Sequence, residues 1–381
     1  MRVLLATTAG AGHFGPLAPL AEACRRRRDE VLVVAPPSFA PFVERAGYPF
    51  RPGADPPEDE LRPVWELVPT LPPDEANVVV IRDVFGRLDA RAMFPHVRAA
   101  IEEWRPDLVL RDPSEFASAV AAELHGVPHA RVAIGLASME ALSLRIAAVA
   151  LDELRGSVGL PADPGGEALR RSPYLTSVPA SVEDPDESGP PGAHRFRDPG
   201  SDAAPATLPD WWDGGDAPLV YVTFGTVAAT LPMGASAYRT ALEAVDGLPV
   251  NVLLTTGDRG DPDALGPLPA NVHAERFVAQ AEVLGHAAAV VHHGGFGSTF
   301  GALAAGVPAV VVPLFADQPY NARRVEAVGA GLAVDAADGA TALHGALERV
   351  LGDRSFGDEA RRVAGEMRAL PSADEVLARI A

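Results

Sequence analysis

Short apolar runs recur along this chain, each followed by a turn or a helical stretch, and this alternation constrains its fold most strongly. The runs are residues 3–6, 31–35, 108–110 and 129–134 in the first half, and residues 219–224, 250–254, 272–274, 288–292 and 309–312 in the second. Helical patterns lie between them, at residues 18–28, 94–104, 115–124, 298–305 and 320–328. Continuously apolar strands that alternate with helices are typical of parallel sheets covered on both faces. The sequence therefore predicts an α/β protein with two doubly wound, Rossmann-like parallel-sheet domains.

A stretch of different composition separates the two sets of runs. From residue 156 to residue 212, prolines, glycines and acidic residues dominate. Such composition is typical of irregular chain and of linkers between domains. We therefore predict an N-terminal domain over residues 1–204, a linker over residues 205–216 and a C-terminal domain over residues 217–365.

The charge balance argues against a nucleic-acid partner, and the cysteine content indicates the kind of cellular compartment. The formal net charge is −19, and an acidic excess of this size repels phosphate backbones and anionic lipid, so we expect no nucleic-acid partner. Residues 132–151 are apolar but are interrupted by Glu140 and Arg145, which favours a buried or cleft-lining helix over membrane insertion. Cys24 is the single cysteine, so no intramolecular disulfide can form. This fits a reducing compartment, and we expect a cytoplasmic protein.

The first glycine loop, residues 10–15, has the spacing G-x-G-x-x-G after a strand and before a helix. This is the spacing of a dinucleotide fingerprint. However, the second strand ends in Val-Ala-Pro-Pro at residues 34–37, without the carboxylate that would hold a ribose hydroxyl. A nicotinamide or flavin cofactor is therefore disfavoured, and close packing of the glycines is the alternative. His13 would lie at the carboxyl end of the first strand, where it could act as a general base, or else cap the following helix.

The second glycine loop is the stronger signal. A strand ending in His292 and His293 is followed by Gly-Gly-Phe-Gly at residues 294–297, by Ser298-Thr299 and by a helix. Backbone N–H groups, an electropositive helix N-terminus and two hydroxyls form a diphosphate cradle that needs no lysine. His293 could add a further hydrogen-bond donor. After the next strand, Asp317 and Gln318 offer a carboxylate and an amide suited to sugar hydroxyls, with a helix cap as the alternative for Asp317.

These residues resemble the donor signature of the family-1 glycosyltransferases of GT-B fold, especially the bacterial enzymes that decorate natural products. The similar stretch runs from Phe277 to Gln318, and His293-x-Gly295-x-x-Ser298 matches its central spacing. Further similar segments are residues 12–13, residues 105–110 with Asp112, and residues 224–226 and 370–371, so the resemblance spans nearly the whole chain. It implies two domains facing a cleft, with the acceptor bound by the N-terminal domain and the nucleotide sugar by the C-terminal one. It also implies a last helix, residues 366–381, that crosses back to the N-terminal domain.

The resemblance assigns roles to individual residues. His13 would deprotonate the acceptor hydroxyl, and Asp112 would orient the imidazole and stabilise its charged form. Phe277 would stack on the nucleobase while the Val278 backbone reads the edge of the base. The full set implied to bind the nucleotide sugar is Gly12, Thr226, Phe277, Val278, Gln280, His293, Gly295, Gly297, Ser298, Thr299, Asp317 and Gln318. An apolar acceptor cleft could be lined by Phe85, Phe94, Met139 and Leu142, for which the hydrophobic core is the alternative.

Three positions depart from the family pattern. Ala279 replaces a common proline, and Gly297 replaces an asparagine that helps to hold phosphate in plant relatives. Gly301 stands where many UDP-glucose enzymes carry a ribose-binding glutamate. The last departure leaves the nucleotide open between dTDP and UDP.

We therefore expect an inverting hexosyltransferase that moves a sugar from a dTDP- or UDP-sugar to a hydroxyl of a small, apolar natural product. No cofactor and no metal are expected, because the cradle would stabilise the departing diphosphate. Two acidic pairs, Asp184 with Asp186 and Asp261 with Asp263, lie in proline turns that favour local hydrogen bonding. The alternatives are a GT-B nucleotide-sugar epimerase and a catalytically inactive nucleotide-sugar-binding subunit. The sequence leaves open the identity of the acceptor, the sugar, the type of glycosidic bond and the oligomeric state.

Overall fold

The structure, a computed structural model, describes residues 1–186, 192–198, 217–228, 232–257 and 260–380. Its strands are β1 (Arg2–Ala6), β2 (Glu30–Ala35), β3 (Phe50–Pro52), β4 (Leu108–Arg111), β5 (His129–Val132), β6 (Tyr174–Thr176), β7 (His194–Arg195), β8 (Leu219–Thr223), β9 (Asn251–Thr255), β10 (Val272–Glu275), β11 (Ala287–His292), β12 (Ala309–Val311) and β13 (Gly331–Ala333). Its helices are α1 (Ala11–Phe14), α2 (Ala18–Arg26), α3 (Ala40–Arg45), α4 (Glu58–Leu67), α5 (Pro73–Val79), α6 (Ala90–Trp104), α7 (Phe116–His125), α8 (Ala137–Ser157), α9 (Glu167–Arg170), α10 (Gly225–Ala228), α11 (Pro232–Val245), α12 (Gln280–Leu284), α13 (Phe296–Ala305), α14 (Gln318–Ala327), α15 (Gly339–Gly352), α16 (Arg354–Arg368) and α17 (Ala373–Ile380). A π-helical stretch, Val80–Asp89, joins α5 to α6 and is called the π segment below.

The chain divides into two compact units. Unit 1 comprises Met1–Ser177, Glu183–Phe196 and Pro371–Ala381, and unit 2 comprises Val178–Val182 and Arg197–Leu370. The C-terminal α17 therefore belongs to unit 1. The linker predicted at residues 205–216 lies outside the described residues, and the domain bounds predicted from the sequence stay predictions.

Unit 1 holds a parallel sheet with the strand order β3-β2-β1-β4-β5-β6-β7. Alternate side chains of β1 enter two different cores, since Leu5 packs in one with Val376 of α17 and Leu4 packs in the other with Val97 of α6. Burial on both faces explains why this strand is continuously apolar. The strand order reverses between β1 and β4, and such a switch point is where ligands bind in open α/β sheets.

Unit 2 holds a second parallel sheet, with the order β10-β9-β8-β11-β12-β13. The central strand β11 is again covered on both faces, because Val291 lies in one core with Leu347 of α15 and Val290 in another with Ala302 of α13. The order reverses between β8 and β11. The loops that follow these two strands therefore meet at the carboxyl edge of the sheet.

The two predicted doubly wound sheets are confirmed, but the prediction of irregular chain over residues 156–212 is wrong for part of its described residues. This region contains α9, β6 and β7, and Tyr174–Thr176 is buried against β5. A three-residue strand between prolines is too short to show a periodic pattern, and it is stabilised by its pairing with β5. In the described part of the chain, no helix combines the length and the apolar character needed to cross a membrane.

Candidate functional site

Asp112 directly follows β4 and is fully buried among hydrogen-bond donors. Its Oδ2 accepts the backbone N–H of Thr8 at 2.8 Å, and its Oδ1 accepts the backbone N–H groups of Ser114 at 2.7 Å and Glu115 at 3.1 Å. Burial raises the pKa of Asp112, but the charge of His13 and these N–H donors prevail and hold the pKa below its ordinary value. The ionised carboxylate thus joins the loops after β1 and β4 at the switch point of unit 1.

His13 lies on α1 with Nδ1 at 3.2 Å from Oδ1 of Asp112. The His13 side chain is 22% exposed whereas that of Asp112 is 0% exposed, so the pair is anchored at one end and accessible at the other. When Nδ1–H donates to the carboxylate, Nε2 is the nitrogen that can accept a proton from a ligand. His13 lies inside α1 and is not the cap of α2, which begins at Ala18. Gly12 precedes it on the same helix, and a Cβ at Gly12 would meet no atom within 4 Å.

Two further carboxyl groups near the pair are not evident from the sequence alone. Glu115 caps α7 by accepting the backbone N–H of Ser118 at 2.9 Å, and its burial raises its pKa to about 7. Asp89 ends the π segment, where burial and the charge of Glu115 raise its pKa to about 7. Glutamate is not among the usual N-cap residues, so the sequence carries no local signal for this role of Glu115, and we find none for Asp89.

The four apolar residues proposed for an acceptor cleft have different surroundings. Phe85 of the π segment is half-buried and contacts His13, with ring centroids 5.6 Å apart. Phe94 is buried in the core formed by α6 and α7, which matches the core alternative for this residue. On α8, Met139 is buried and Leu142 is half-buried. Phe85 is therefore the member of the set that lies against the histidine.

In unit 2, two neutral histidines follow one another at the carboxyl end of β11. His292 is fully buried, and its Nδ1 accepts the backbone N–H of Gly294 at 2.9 Å. Burial lowers the pKa of His292 to about 3 and that of His293 to about 4. His293 is therefore uncharged at neutral pH and carries a single N–H. The ring uses that N–H in a hydrogen bond to the backbone of Thr223, so the prediction that His293 donates a hydrogen bond to a ligand is not supported. Its Nδ1 lacks a partner among the described residues.

Glycines enclose the His293 ring on two sides. A Cβ on Gly225, in the loop after β8, would lie 2.8 Å from Cε1 of His293, and a Cβ on Gly295 would overlap Nε2. Gly225 has φ +77° and Gly294 has φ +89°, which glycine adopts without strain. Side chains at positions 225 and 295 would displace the His293 ring, and one at position 294 would press on Gln318 and Val311, so all three glycines are required for this close packing.

Helix α13 begins directly after these glycines, with Gly295 as its cap. No acidic residue lies in its first turn, so its N-terminus keeps a positive partial charge that favours an anion. Ser298 is mostly buried, and Thr299 is 1% exposed with a hydroxyl that lacks a partner among the described residues. Gly297 is exposed, and a Cβ there would meet nothing within 4 Å. The arrangement supplies backbone N–H groups and hydroxyls without a cationic side chain.

Asp317 and Gln318, the pair predicted to hold the sugar, lie next to the glycine loop of residues 294–297. Oε1 of Gln318 accepts the backbone N–H groups of Leu314 at 2.8 Å and Phe315 at 2.9 Å, which leaves its amide nitrogen as the group able to donate to a ligand. Asn321 Nδ2 donates to Oδ2 of Asp317 at 2.9 Å and to the carbonyl of Gly294 at 2.8 Å. Asn321 therefore links the carboxylate to the glycine loop. Asn321 was not predicted from the sequence, although its i, i+4 spacing from Asp317 on a helix is a usable signal.

The remaining predicted residues of unit 2 lie around α12 and α10. Phe277 is 60% exposed, as expected of a ring available for stacking, while Val278 is half-buried against the core that includes α12 and α13. Gln280 begins α12, and its Nε2 donates to the carbonyl of Gly297 at 3.1 Å. Thr226 is exposed on α10, the short helix after β8.

Each unit thus carries its own group of functional side chains and backbone groups. Unit 1 has a histidine oriented by a buried carboxylate, which is an arrangement for removing a proton. Unit 2 has a glycine-rich helix N-terminus with hydroxyls, which is an arrangement for holding an anionic phosphate group.

Comparison with known proteins shows one family that matches both halves of the chain, and several similar transferases. Residues 22–156 match the N-terminal domain of the erythromycin biosynthesis protein CIII-like family, and residues 239–381 match its C-terminal domain. The L-demethylnoviosyl transferase of Streptomyces niveus is 33% identical, over 98% of this chain and 95% of the relative. The elloramycin glycosyltransferase ElmGT of Streptomyces olivaceus is also 33% identical, over 100% of this chain and 97% of the relative. Among solved structures, the glycosyltransferase SsfS6 of Streptomyces sp. SF2575, complexed with thymidine diphosphate, superposes with a TM-score of 0.76 at 28% identity and covers 100% of both chains.

Proposed function

The chain belongs to the erythromycin biosynthesis protein CIII-like family of GT-B glycosyltransferases that act in antibiotic biosynthesis, and from this membership we propose its reaction. The proposed reaction is an inverting, metal-independent transfer of a hexose from a dTDP-sugar to a hydroxyl of a small natural-product acceptor. UDP-sugars are the alternative donors. The observation that carries the proposal is the His13–Asp112 pair, with its 3.2 Å contact and its accessible histidine.

In the proposed mechanism, Nε2 of His13 takes the proton of the acceptor hydroxyl while the oxygen forms a bond to the anomeric carbon. The bond between that carbon and the diphosphate oxygen breaks on the opposite face, and its electron pair leaves with the nucleoside diphosphate. The configuration at the anomeric carbon is therefore inverted. Asp112 stabilises the imidazolium that forms, because its lowered pKa keeps it ionised.

The departing diphosphate would be stabilised by the N-terminus of α13 and the neighbouring hydroxyls, while the ring of His293 packs against Gly225 and Gly295. This set has no cationic side chain, so its contribution comes from oriented N–H and O–H groups. Asp317, Gln318 and the exposed Phe277 would hold the sugar and the base of the same nucleotide sugar. Support for this assignment is the Asn321 link between Asp317 and the Gly294 carbonyl, which holds both parts in one local network.

Metal independence is part of the proposal, and the acidic pairs support it. Oδ1 of Asp184 accepts the backbone N–H of Asp186 at 3.0 Å, and Oδ1 of Asp261 accepts that of Asp263 at 3.1 Å. Each first carboxylate therefore serves its own turn. We expect an excess of EDTA to leave the transfer rate within about twofold, since the cradle supplies the stabilisation of charge. Loss of turnover with EDTA and recovery with magnesium would contradict the proposal.

The nucleotide is proposed to be dTDP on the basis of Gly301. A glycine has no carboxylate to bind ribose hydroxyls, and the Gln280 side chain occupies the space that a Cβ at 301 would need. A further support is the thymidine diphosphate complex of the similar SsfS6 structure.

Transfer from dTDP-glucose to a panel of phenolic and macrolide aglycones tests the function directly. The proposal expects a glycosylated product by mass spectrometry and a β-linkage by NMR, because the donor is α-linked. An α-linked product would contradict inversion. Binding of dTDP without transfer to any member of the panel would favour an inactive nucleotide-binding subunit.

A further inference from the structure

Two arginines lie side by side in the sheet of unit 1, and both are almost wholly buried. Arg111 ends β4 and Arg131 lies on β5, and the two residues are paired in register. Their exposed fractions are 0% and 2%. Burying a guanidinium costs free energy unless its N–H groups find acceptors. The hydrogen-bond partners of each arginine therefore indicate which part of the structure it stabilises.

Arg111 donates to the loop that carries Asp112. Its Nη1 lies 3.2 Å from the carbonyls of Asp112 and Pro113 and 3.4 Å from that of Glu115. The N–H groups of Ser114 and Glu115 in the same loop donate to the Asp112 carboxylate. The loop of residues 112–115 is therefore held from both sides, its N–H groups by Asp112 and its carbonyls by Arg111.

The partners of Arg131 are different. Its Nη1 pairs with Oε1 of Glu140 at 3.1 Å, and its Nη2 donates to the carbonyls of Arg170 at 3.1 Å and Ser172 at 3.2 Å. These contacts join β5 to α8 and to the segment before β6. Arg131 is thus equally buried on the same sheet but does not donate to the loop of Asp112 in these bonds.

The Nε and Nη2 groups of Arg111 lack partners among the described residues. Burial, together with the charge of Arg131, lowers the pKa of Arg111 to about 10. The three carbonyl bonds of Nη1 therefore offset a substantial desolvation cost. A buried apolar residue of similar volume would avoid that cost, so stability of the sheet does not account for an arginine here.

We propose that Arg111 is a positioning residue that fixes the 112–115 loop, and through it the Asp112 carboxylate, in the geometry that orients His13. The inference rests on the proposed function, in which His13 is the base. In this account Arg111 does not touch the substrate. Its effect on turnover is indirect and goes through the hydrogen bond between Nδ1 of His13 and Asp112.

Replacement by methionine and by lysine separates positioning from packing. Arg111→Met keeps much of the volume but removes every donor. Arg111→Lys brings an ammonium with three N–H groups, which can bond several carbonyls from one nitrogen as Nη1 does. The matched control is Arg131→Met combined with Glu140→Gln, which removes a guanidinium of similar burial without leaving a charged partner.

The primary readout is the downfield proton NMR signal of His13 Nδ1–H in isotopically labelled full-length protein, identified by its absence in His13→Gln. We expect Arg111→Met to weaken or abolish this signal, Arg111→Lys to keep it, and the double-variant control to keep it. Transfer from dTDP-glucose to 4-methylumbelliferone should fall by on the order of 10²-fold in Arg111→Met, with dTDP affinity unchanged. If Arg111→Met does not fold, Arg111→Gln serves in its place, because its shorter side chain cannot reach all three carbonyls.

An unchanged Nδ1–H signal in Arg111→Met would overturn the proposal, as would equal loss of the signal in Arg111→Lys or in the control. The signal reports the His13–Asp112 bond without any turnover. A failure of the proposed function, such as normal activity in His13→Gln, would therefore be seen separately from a failure of this inference.

Discussion

At the scale of single residues, the proposed nucleotide site includes Gly301, a position that has no side chain. Gly301 lies on α13, and a Cβ there would overlap the amide of Gln280, which donates to the Gly297 carbonyl instead. The far end of a glutamine is flexible, so a larger residue at 301 would displace it without moving backbone. We therefore expect that one substitution at this position alters the preference for the nucleotide.

Gly301→Glu is predicted to move the preference of the enzyme from dTDP toward UDP. The carboxylate would accept hydrogen bonds from both ribose hydroxyls of UDP, while dTDP has only one to offer. The natural protein should bind dTDP at least as tightly as UDP. Isothermal titration calorimetry with both diphosphates measures the difference, and Gly301→Ala is the control that displaces Gln280 without adding a carboxylate.

Two outcomes would count against this account of position 301. One is a UDP advantage above about tenfold in the natural protein, or about 1.4 kcal/mol. The other is an equal shift in Gly301→Ala and Gly301→Glu, which would assign the effect to the displaced Gln280.

At the scale of elements, the start of α13 offers a matched pair of glycines. We predict that Gly295→Ala weakens dTDP binding by about tenfold or more, near 1.4 kcal/mol, because its Cβ would displace His293. Gly297→Ala should leave the affinity within about twofold and preserve or raise the melting temperature, since alanine favours a helix by roughly 1 kcal/mol and its Cβ meets no atom within 4 Å. Calorimetry with dTDP tests both variants. Equal losses in the two would show that the glycine cradle is not specific to the His293 contact.

The cap of α7 predicts a pH dependence of stability. Burial raises the pKa of Glu115 from 4.5 to about 7, so the folded protein holds a proton that the unfolded chain has released between these values. The free energy of unfolding therefore falls as pH rises through this window. In Glu115→Gln, which keeps an acceptor for the Ser118 N–H, we expect a smaller fall between about pH 5 and about pH 7.5. Asp89 also contributes to the fall, and because the charge of Glu115 helps to raise its pKa, its contribution is smaller in Glu115→Gln, which changes the slope in the same direction.

Thermal or urea unfolding at the two pH values measures this effect. Glu115→Asp provides a control that retains a titratable carboxyl at the same position. The same pH dependence in the natural protein and in Glu115→Gln would contradict a raised pKa for Glu115.

The elements predicted from the sequence were those with a long apolar run or a glycine loop. Local patterns of this kind predicted the central strands of both sheets and the start of the helix after His293. The strands β1 and β11 are continuously apolar because both of their faces are buried. By contrast, β6 and the π segment depend on partners far away in sequence. Tyr174–Thr176 is a strand because it pairs with β5. Gly86 of the π segment lies close to α8, since a Cβ at this position would be only 3.2 Å from the Cβ of Ala147.

The same division applies to the site. His13 and the Gly-Gly-x-Gly loop could be predicted because their chemistry is unusual for a strand–helix turn. Arg111 and Asp89 could not, since a single charged residue carries no local signal until the fold brings its partners close. Asn321 was missed although its i, i+4 spacing from Asp317 is a local signal.

At the scale of the whole molecule, the two units hold different parts of one proposed reaction. The proposed general base and its carboxylate belong to unit 1, while the proposed phosphate cradle and sugar-binding pair belong to unit 2. Each unit has its own sheet and its own cores. Catalysis and nucleotide binding should therefore be separable by substitution, which a dinucleotide-binding loop at residues 10–15 does not predict.

The most direct measurement compares His13→Ala with the natural protein in transfer from dTDP-glucose and in dTDP calorimetry, with His125→Ala as a control histidine on α7. The account predicts that His13→Ala loses about 10²–10⁴-fold in transfer rate and keeps its dTDP affinity, while His125→Ala keeps both. Near-normal turnover of His13→Ala, or loss of dTDP binding in it, would contradict the assignment of His13 as the base.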